Sequence, residues 1–98
     1  MIRHVVVFTW RPEATDEQKQ RVSAELAVLP GLIPGLRDYK FGADQGIDAG
    51  NGDFAVTADF GDVAGYLVYR DHPAHQKVVT ETIRPIVAKR TSVQIEVD

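Results

Sequence analysis

IRHVVVFTWR, residues 2–11, alternates with a period of two, the spacing of side chains along a β-strand. Ile2, His4, Val6, Phe8 and Trp10 share one face, and Arg3, Val5, Val7, Thr9 and Arg11 share the other. The middle of both faces is apolar, so both are expected to be covered. The rest of the chain must supply two covering layers or leave one to a partner.

Downstream, a helix follows at once. Pro12 leads into it, Thr15 with Gln18 three residues on forms a capping box, and Asp16 and Glu17 complement the dipole in the first turn. Val22, Leu26 and Leu29 form its apolar stripe, and Pro30 with Gly31 stops it. The LPGLIPG segment, residues 29–35, reads as a bent connection with at most one turn, around Leu32 and Ile33. A second strand is expected over residues 36–43, with Tyr39 and Phe41 opposed to Asp38 and Lys40. GADQGIDAGNGD, residues 42–53, is then the longest loop, a hairpin connection. Its aspartates lack the spacing and the closing glutamate of a calcium-binding loop, so the solvated hairpin is preferred.

Phe54 to Phe60 alternates again, with Phe54, Val56, Ala58 and Phe60 facing inward against Ala55, Thr57 and Asp59. Asp62 is a good N-cap for a short helix through Tyr69, whose apolar positions are Val63, Tyr66 and Leu67. A third helix starts at Pro73 and buries Val78, Val79, Ile83 and Ile86. Pro85 withholds a backbone donor and breaks or kinks that helix near Arg84. The last element is a strand over residues 91–97, with Val93, Ile95 and Val97 on one face.

The order strand, helix, strand, strand, helices, strand predicts an α+β, ferredoxin-like βαββαβ fold in one domain over residues 1–98. Its four-stranded antiparallel sheet carries helices on one face only. Val5, Val7, Ala55 and Thr57 on the other face are too apolar for a wetted surface, which points to a partner. Two such sheets packed face to face about a two-fold axis would close a homodimer, a dimeric α/β barrel. A chain of this size buries only about 60–70% of its unfolded surface and gains from such association.

Chemistry concentrates in YRDHPAH, residues 69–75, which holds two of the three histidines. Pro73 suits the first turn of a helix, so His72 reads as its N-cap. His75 reads either as a ligand-facing group or as a buried histidine with a backbone partner. His4 reads mainly as a structural hydrogen bond to the helix layer. His72 and His75 with a distant His4 do not make a metal site, because three converging ligands are needed and His72 is used as a cap. No cofactor is expected, and nothing argues for a planar haem cavity.

Composition narrows the partners. Fourteen acidic against eleven basic residues leave a net charge of −3 without blocks, and no basic cluster interleaves with aromatics, so nucleic acid is excluded as a partner. No stretch suits a signal peptide or a membrane span, and the chain has no cysteine. A cytoplasmic location without membrane contact is the expectation.

IRHVVVFTWR, the TDEQKQ helix start, the glycine-containing turn into the second strand and above all HPAH resemble the stress-responsive dimeric α/β barrel (Dabb) family across essentially the whole chain. The resemblance implies the ferredoxin-like fold and the dimeric barrel. The family includes plant polyketide cyclases of the olivetolic acid type, in which a strand-one histidine, a tyrosine before HPAH and the second histidine of that run line a pocket between sheet and helices. The matching residues are His4, Tyr69 and His75, with Val6, Phe8, Leu26, Val56, Ala58, Val78 and Ile86 as expected wall. Leu26 and Ile86 stand where those cyclases carry tyrosine and tryptophan, which makes this wall more aliphatic.

What the resemblance implies about function is a pocket that binds an apolar metabolite, with or without turnover. As a cofactor-free polyketide cyclase, the chain would use His75 as base, Tyr69 as electrophilic helper, and His4 as orienter or alternative acid. A cofactor-free monooxygenase is the other enzymatic reading, and oxygen consumption with a quinol separates it from a cyclase.

Overall fold

The computed structural model describes every residue from Met1 to Asp98. Four strands, β1 (Ile2–Trp10), β2 (Arg37–Ala43), β3 (Phe54–Phe60) and β4 (Val87–Glu96), form one antiparallel sheet in the order β2-β3-β1-β4. Helices α1 (Asp16–Leu26), α2 (Val63–Asp71) and α3 (Pro73–Val78) pack on one side of it, which is the ferredoxin-like arrangement. The core lies between these layers, where Val6, Phe8, Trp10, Val56 and Phe60 of the sheet meet Val22, Leu26, Tyr69, Val78 and Ile83.

Local signals explain most boundaries. Thr15 Oγ1 accepts from the Gln18 N–H at 3.2 Å and Gln18 Oε1 accepts from the Thr15 N–H at 2.9 Å, so the capping box is complete. Asp62 caps α2 through the Gly65 N–H at 2.8 Å. The turn expected around Leu32 and Ile33 instead forms as a 3-10 turn over Leu29–Gly31, with Pro30 at its second position, where a fixed φ suits the helical turn. Within α2, Val63 and Leu67 are exposed, and the buried side is carried by Tyr69 with Tyr66 half-buried. The helix also runs two residues beyond Tyr69, to Asp71.

Two irregularities shape the layer above the sheet. In β2, Asp38 adopts φ 37°, and the register slips between Arg37, opposite Asp59, and Lys40, opposite Thr57. This bulge puts Arg37 and Lys40 on one face, while Tyr39 shares the helix-side face of Phe41 as their alternation requires. In the third helix, Pro85 does end the helical run, but the last turn, Val79–Ile83, is π-helical. The Arg84 N–H donates to the Val79 carbonyl at 2.8 Å, and Thr82 Oγ1 donates to Glu25 Oε1 of α1 at 2.7 Å.

The hairpin loop is tied down at both ends. The Asp53 N–H donates to the Phe8 carbonyl at 2.8 Å, and Asp53 Oδ2 accepts from the Trp10 N–H at 2.8 Å. Asp44 accepts from the Gly46 N–H and from Asn51 Nδ2, both at 3.0 Å. The Asp44 carboxylate is therefore spent within the loop, and that of Asp53 on anchoring the loop to β1. Gly52 lies so close to Val7 Cγ1 that a Cβ there would collide with it.

On the face away from the helices, β1 and β4 place Val5 beside Val93, Val7 beside Thr91 and Arg3 beside Ile95. Val93 and Ile95 are exposed, as is Val7 at its edge. Arg3 also grips Asp59 across the β1–β3 ladder with two bonds of 2.7 and 2.8 Å, and this pairing holds the Asp59 carboxyl below its ordinary range. Asp59→Asn keeps the shape but loses the charge, and it is expected to destabilise the fold by about 1–2 kcal/mol in urea unfolding at pH 7. An unchanged midpoint would show that the pair contributes nothing net.

Candidate functional site

A cavity of about 300 Å³ opens between the sheet and the α2–α3 junction. Its floor is Val6 and Phe8 of β1 with Val56 of β3, and Leu26, Val79 and Ile83 close the helix side. His4, Tyr69 and His75, the three residues singled out in the sequence, all line it. The β1–β3 register sets the floor by placing Val6 opposite Val56.

The α2–α3 junction aims Tyr69 and His75 at the same space. His72 Nδ1 accepts from the Ala74 N–H at 3.1 Å, so His72 caps α3 and stays off the cavity wall. One turn on, His75 Nδ1 lies 3.1 Å from the Arg70 carbonyl oxygen. A carbonyl can only accept, so Nδ1 carries the proton and Nε2 keeps a lone pair. His75 thus has the backbone partner of a structural histidine and the cavity position of a ligand-facing one. Its ring packs on that of Tyr69 with centroids 4.1 Å apart. Burial holds the His75 pKa below 6.5, Arg90 pushes it the same way, and the Arg70 carbonyl opposes them.

The Tyr69 hydroxyl lies 3.0 Å from that of Tyr39, which β2 carries on the same inward face as Phe41. Burial raises both phenols: Tyr39 is pushed up to about 12, and Tyr69 rises further because Tyr39 adds to the effect. Both are neutral donors at pH 7. When Tyr39 donates to Tyr69, the Tyr69 O–H is free for an oxygen in the cavity.

His4 is held differently from the expected bond to the helix layer. Its partner is on the neighbouring strand, where Gln94 Nε2 of β4 donates to His4 Nδ1 at 2.9 Å. The β1–β4 register dictates this by setting Gln94 beside His4. Burial lowers the His4 pKa from 6.5 to about 4, with Arg90 and His75 adding to the shift. No three His, Asp or Glu side chains converge as a metal-binding set.

Three expected wall residues lie elsewhere. Ala58 is fully buried beneath the end of the sheet where the rings of His4, Phe60 and Tyr66 pack 5.1–5.7 Å apart. Val78 is buried on the flank of α3 opposite Gln76, since successive helical residues turn by about 100° and the cavity side runs through His75, Gln76 and Val79. Ile86 is buried beyond Pro85, where the chain has left the helix face that carries Val79 and Ile83.

The wall also contains residues that the linear pattern did not single out: Tyr39, Arg70, Gln76, Val79, Ile83, Arg84, Val87 and Arg90. Val79 and Gln76 were accessible from helical spacing around His75. Arg90 lies outside the strand expected over residues 91–97: β4 starts earlier, at Val87, and its helix-side residues are Arg90, Ser92 and Gln94, opposite Phe8, Val6 and His4.

Comparison with known proteins places this architecture. A dimeric ferredoxin-like protein of unknown function from Thermobifida fusca shares 43% identity and a TM-score of 0.91, over 98% of this chain and 90% of that one. A Dabb family protein from Mesorhizobium loti shares 25% identity and a TM-score of 0.81, over 98% and 95%. Hydroxynitrile lyase from Passiflora edulis has 21% identity and a TM-score of 0.86, over 99% and 93%, a likeness of fold. No curated protein matches the sequence. Residues 2–97 match the stress-responsive A/B barrel domain, and the chain belongs to that family.

Proposed function

We propose that this protein is a homodimer that binds a small, largely apolar metabolite between its sheet and its helices. The cavity carries this reading: its volume of about 300 Å³, an aliphatic and aromatic floor and a few convergent polar groups are the usual make-up of a small-molecule site. The dimer would form through the open sheet face, where Val7, Val93 and Ile95 are 36%, 53% and 44% exposed. The Thermobifida fusca relative, which is described as dimeric, supports that assembly. An unbiased ligand screen by thermal shift tests the pocket: a binder should raise the melting temperature of the wild type, and less so that of His75→Gln. A screen with no His75-dependent shift would count against this pocket.

A second reading is favoured by the fixed His75 tautomer: proton transfer without a cofactor, as in aldol cyclisation of a β-polyketide. His75 Nε2 takes a proton from a carbon beside a carbonyl, and the electron pair moves onto the carbonyl oxygen, which accepts from the Tyr69 O–H. The carbanion carbon attacks a second carbonyl of the same chain, and the proton on His75 passes to the alkoxide that forms. Because burial lowers the His75 pKa, the rate should fall in acid with a midpoint below 6.5, the ordinary value for a histidine. His75→Gln is expected to cut turnover of a cyclisable β-polyketide by roughly 10²–10⁴-fold. Turnover unchanged in both His75→Gln and Tyr69→Phe, with ligand still bound, would remove this reading and leave the binding one.

A further inference from the structure

Three arginines line the cavity, and no aspartate or glutamate does. One of the three is accounted for: Arg70 is tied to Asp71 by bonds of 2.9 and 3.1 Å. Arg84 makes no ion pair, and the one side-chain bond of Arg90 runs to Ser92 Oγ at 3.1 Å. Two arginines without a carboxylate partner therefore line one small space in a chain whose net charge is −3. They arrive from different elements. Arg84 ends the π-helical turn, and Arg90 stands on β4 opposite Phe8 of the apolar floor.

We propose that the cavity takes a carboxylate-bearing ligand, with the carboxylate between Arg84 and Arg90 at the rim and the apolar body over Phe8 and Val56. This rests on the reading of the cavity as a small-molecule site and names the class of molecule that site accepts. A guanidinium presents a planar fork that matches a carboxylate with two parallel bonds, and a flat headgroup with one ring suits a space of about 300 Å³. An anion there would also offset the positive field that Arg90 exerts on buried His4 and half-buried His75. The ligand would then lie with its polar end at the arginines and its remaining oxygen functions within reach of Tyr69 and His75.

The test is equilibrium binding by calorimetry with matched probes: benzoate against benzamide, and hexanoate against hexanamide. The acids are expected to bind the wild type roughly tenfold to a hundredfold more tightly than the amides, the range for a charge-assisted pair. Arg84→Gln and Arg90→Gln should each lose most of that preference, and Lys77→Gln, which removes a cation outside the cavity, should keep it. Both arginines are exposed, so circular dichroism of the variants should match the wild type. Amides binding the wild type as tightly as the acids would overturn the carboxylate assignment while leaving the small-molecule site standing. Phenyl phosphate or inorganic phosphate outcompeting benzoate would overturn it in favour of a phosphate ligand. No binding by any probe would bring down the inference together with the cavity reading beneath it.

Discussion

Val93→Asp is expected to convert the protein from dimer to monomer at micromolar concentration in sedimentation equilibrium, with the fold intact by circular dichroism. Val93 sits beside Val5 on the sheet face that carries no helices and is 53% exposed in the single chain. A charge at this position is therefore harmless to the isolated subunit. In a two-fold interface through that face the same carboxylate is buried, unpaired, and present twice. Leaving a buried charge without a partner costs about 3–5 kcal/mol, so the dissociation constant should rise on the order of a thousandfold or more. Val7→Asp should act in the same direction, but Val7 also touches Gly52 of the hairpin loop, so some of its effect would be on the subunit itself. A Val93→Asp protein that remains dimeric would place the interface elsewhere, and a monomeric wild type would dismiss the dimer altogether.

Acid should weaken the fold well before the carboxylates titrate. His4 is buried and its pKa falls from 6.5 to about 4 in the folded chain, so between those values the unfolded chain binds the extra proton and the folded chain does not. Stability therefore rises with pH through this window, is fully present above 6.5, and is lost as pH falls towards 4. The shift corresponds to about 3 kcal/mol. His75 is displaced in the same direction and adds to the slope. Asp59 acts in a separate, lower window, because its pKa is depressed from 3.8 and its contribution is lost only as pH drops through and below that value. Urea unfolding at steps from pH 7 to pH 4 measures the effect. His4→Gln, which does not titrate, should start less stable at pH 7 because Gln94 loses its fitted partner, yet lose less on acidification. Equal slopes for wild type and His4→Gln would show that His4 does not carry the dependence.

The strands, the caps and the breaks were legible because their causes are local. Alternation in residues 2–10 and 54–60, the Thr15–Gln18 box, the Asp62 cap and the Pro73 start each involve groups within a few residues of one another. The order of those elements predicted the ferredoxin-like sheet, and the second apolar face of β1 pointed to the side without helices. His4, Tyr69 and His75 came from a resemblance over the same stretches, and the cavity contains all three. Local pattern went astray where a residue's environment is made by distant chain. Val63 and Leu67 have the spacing of a buried stripe, but α2 meets the sheet through Tyr66 and Tyr69, whose rings reach Phe60 and His4.

The amino-acid sequence by itself determined the element order, the inward faces of β1 and β3, and the capping role of His72, since each follows from periodicity or from a contact within one turn. Only the tertiary structure decided how the cavity is furnished. The π-helical turn carries a Thr82–Glu25 bond to α1 that spans 57 residues. The bond between the Tyr39 and Tyr69 hydroxyls spans 30 residues, and the Gln94 bond that sets His4 spans 90. Arg90 faces Phe8 because of the β1–β4 register, a pairing between the two ends of the chain. Such long-range contacts leave no period in the sequence, so the place of Arg90 in the cavity wall became visible only once the two ends of the chain had been brought together.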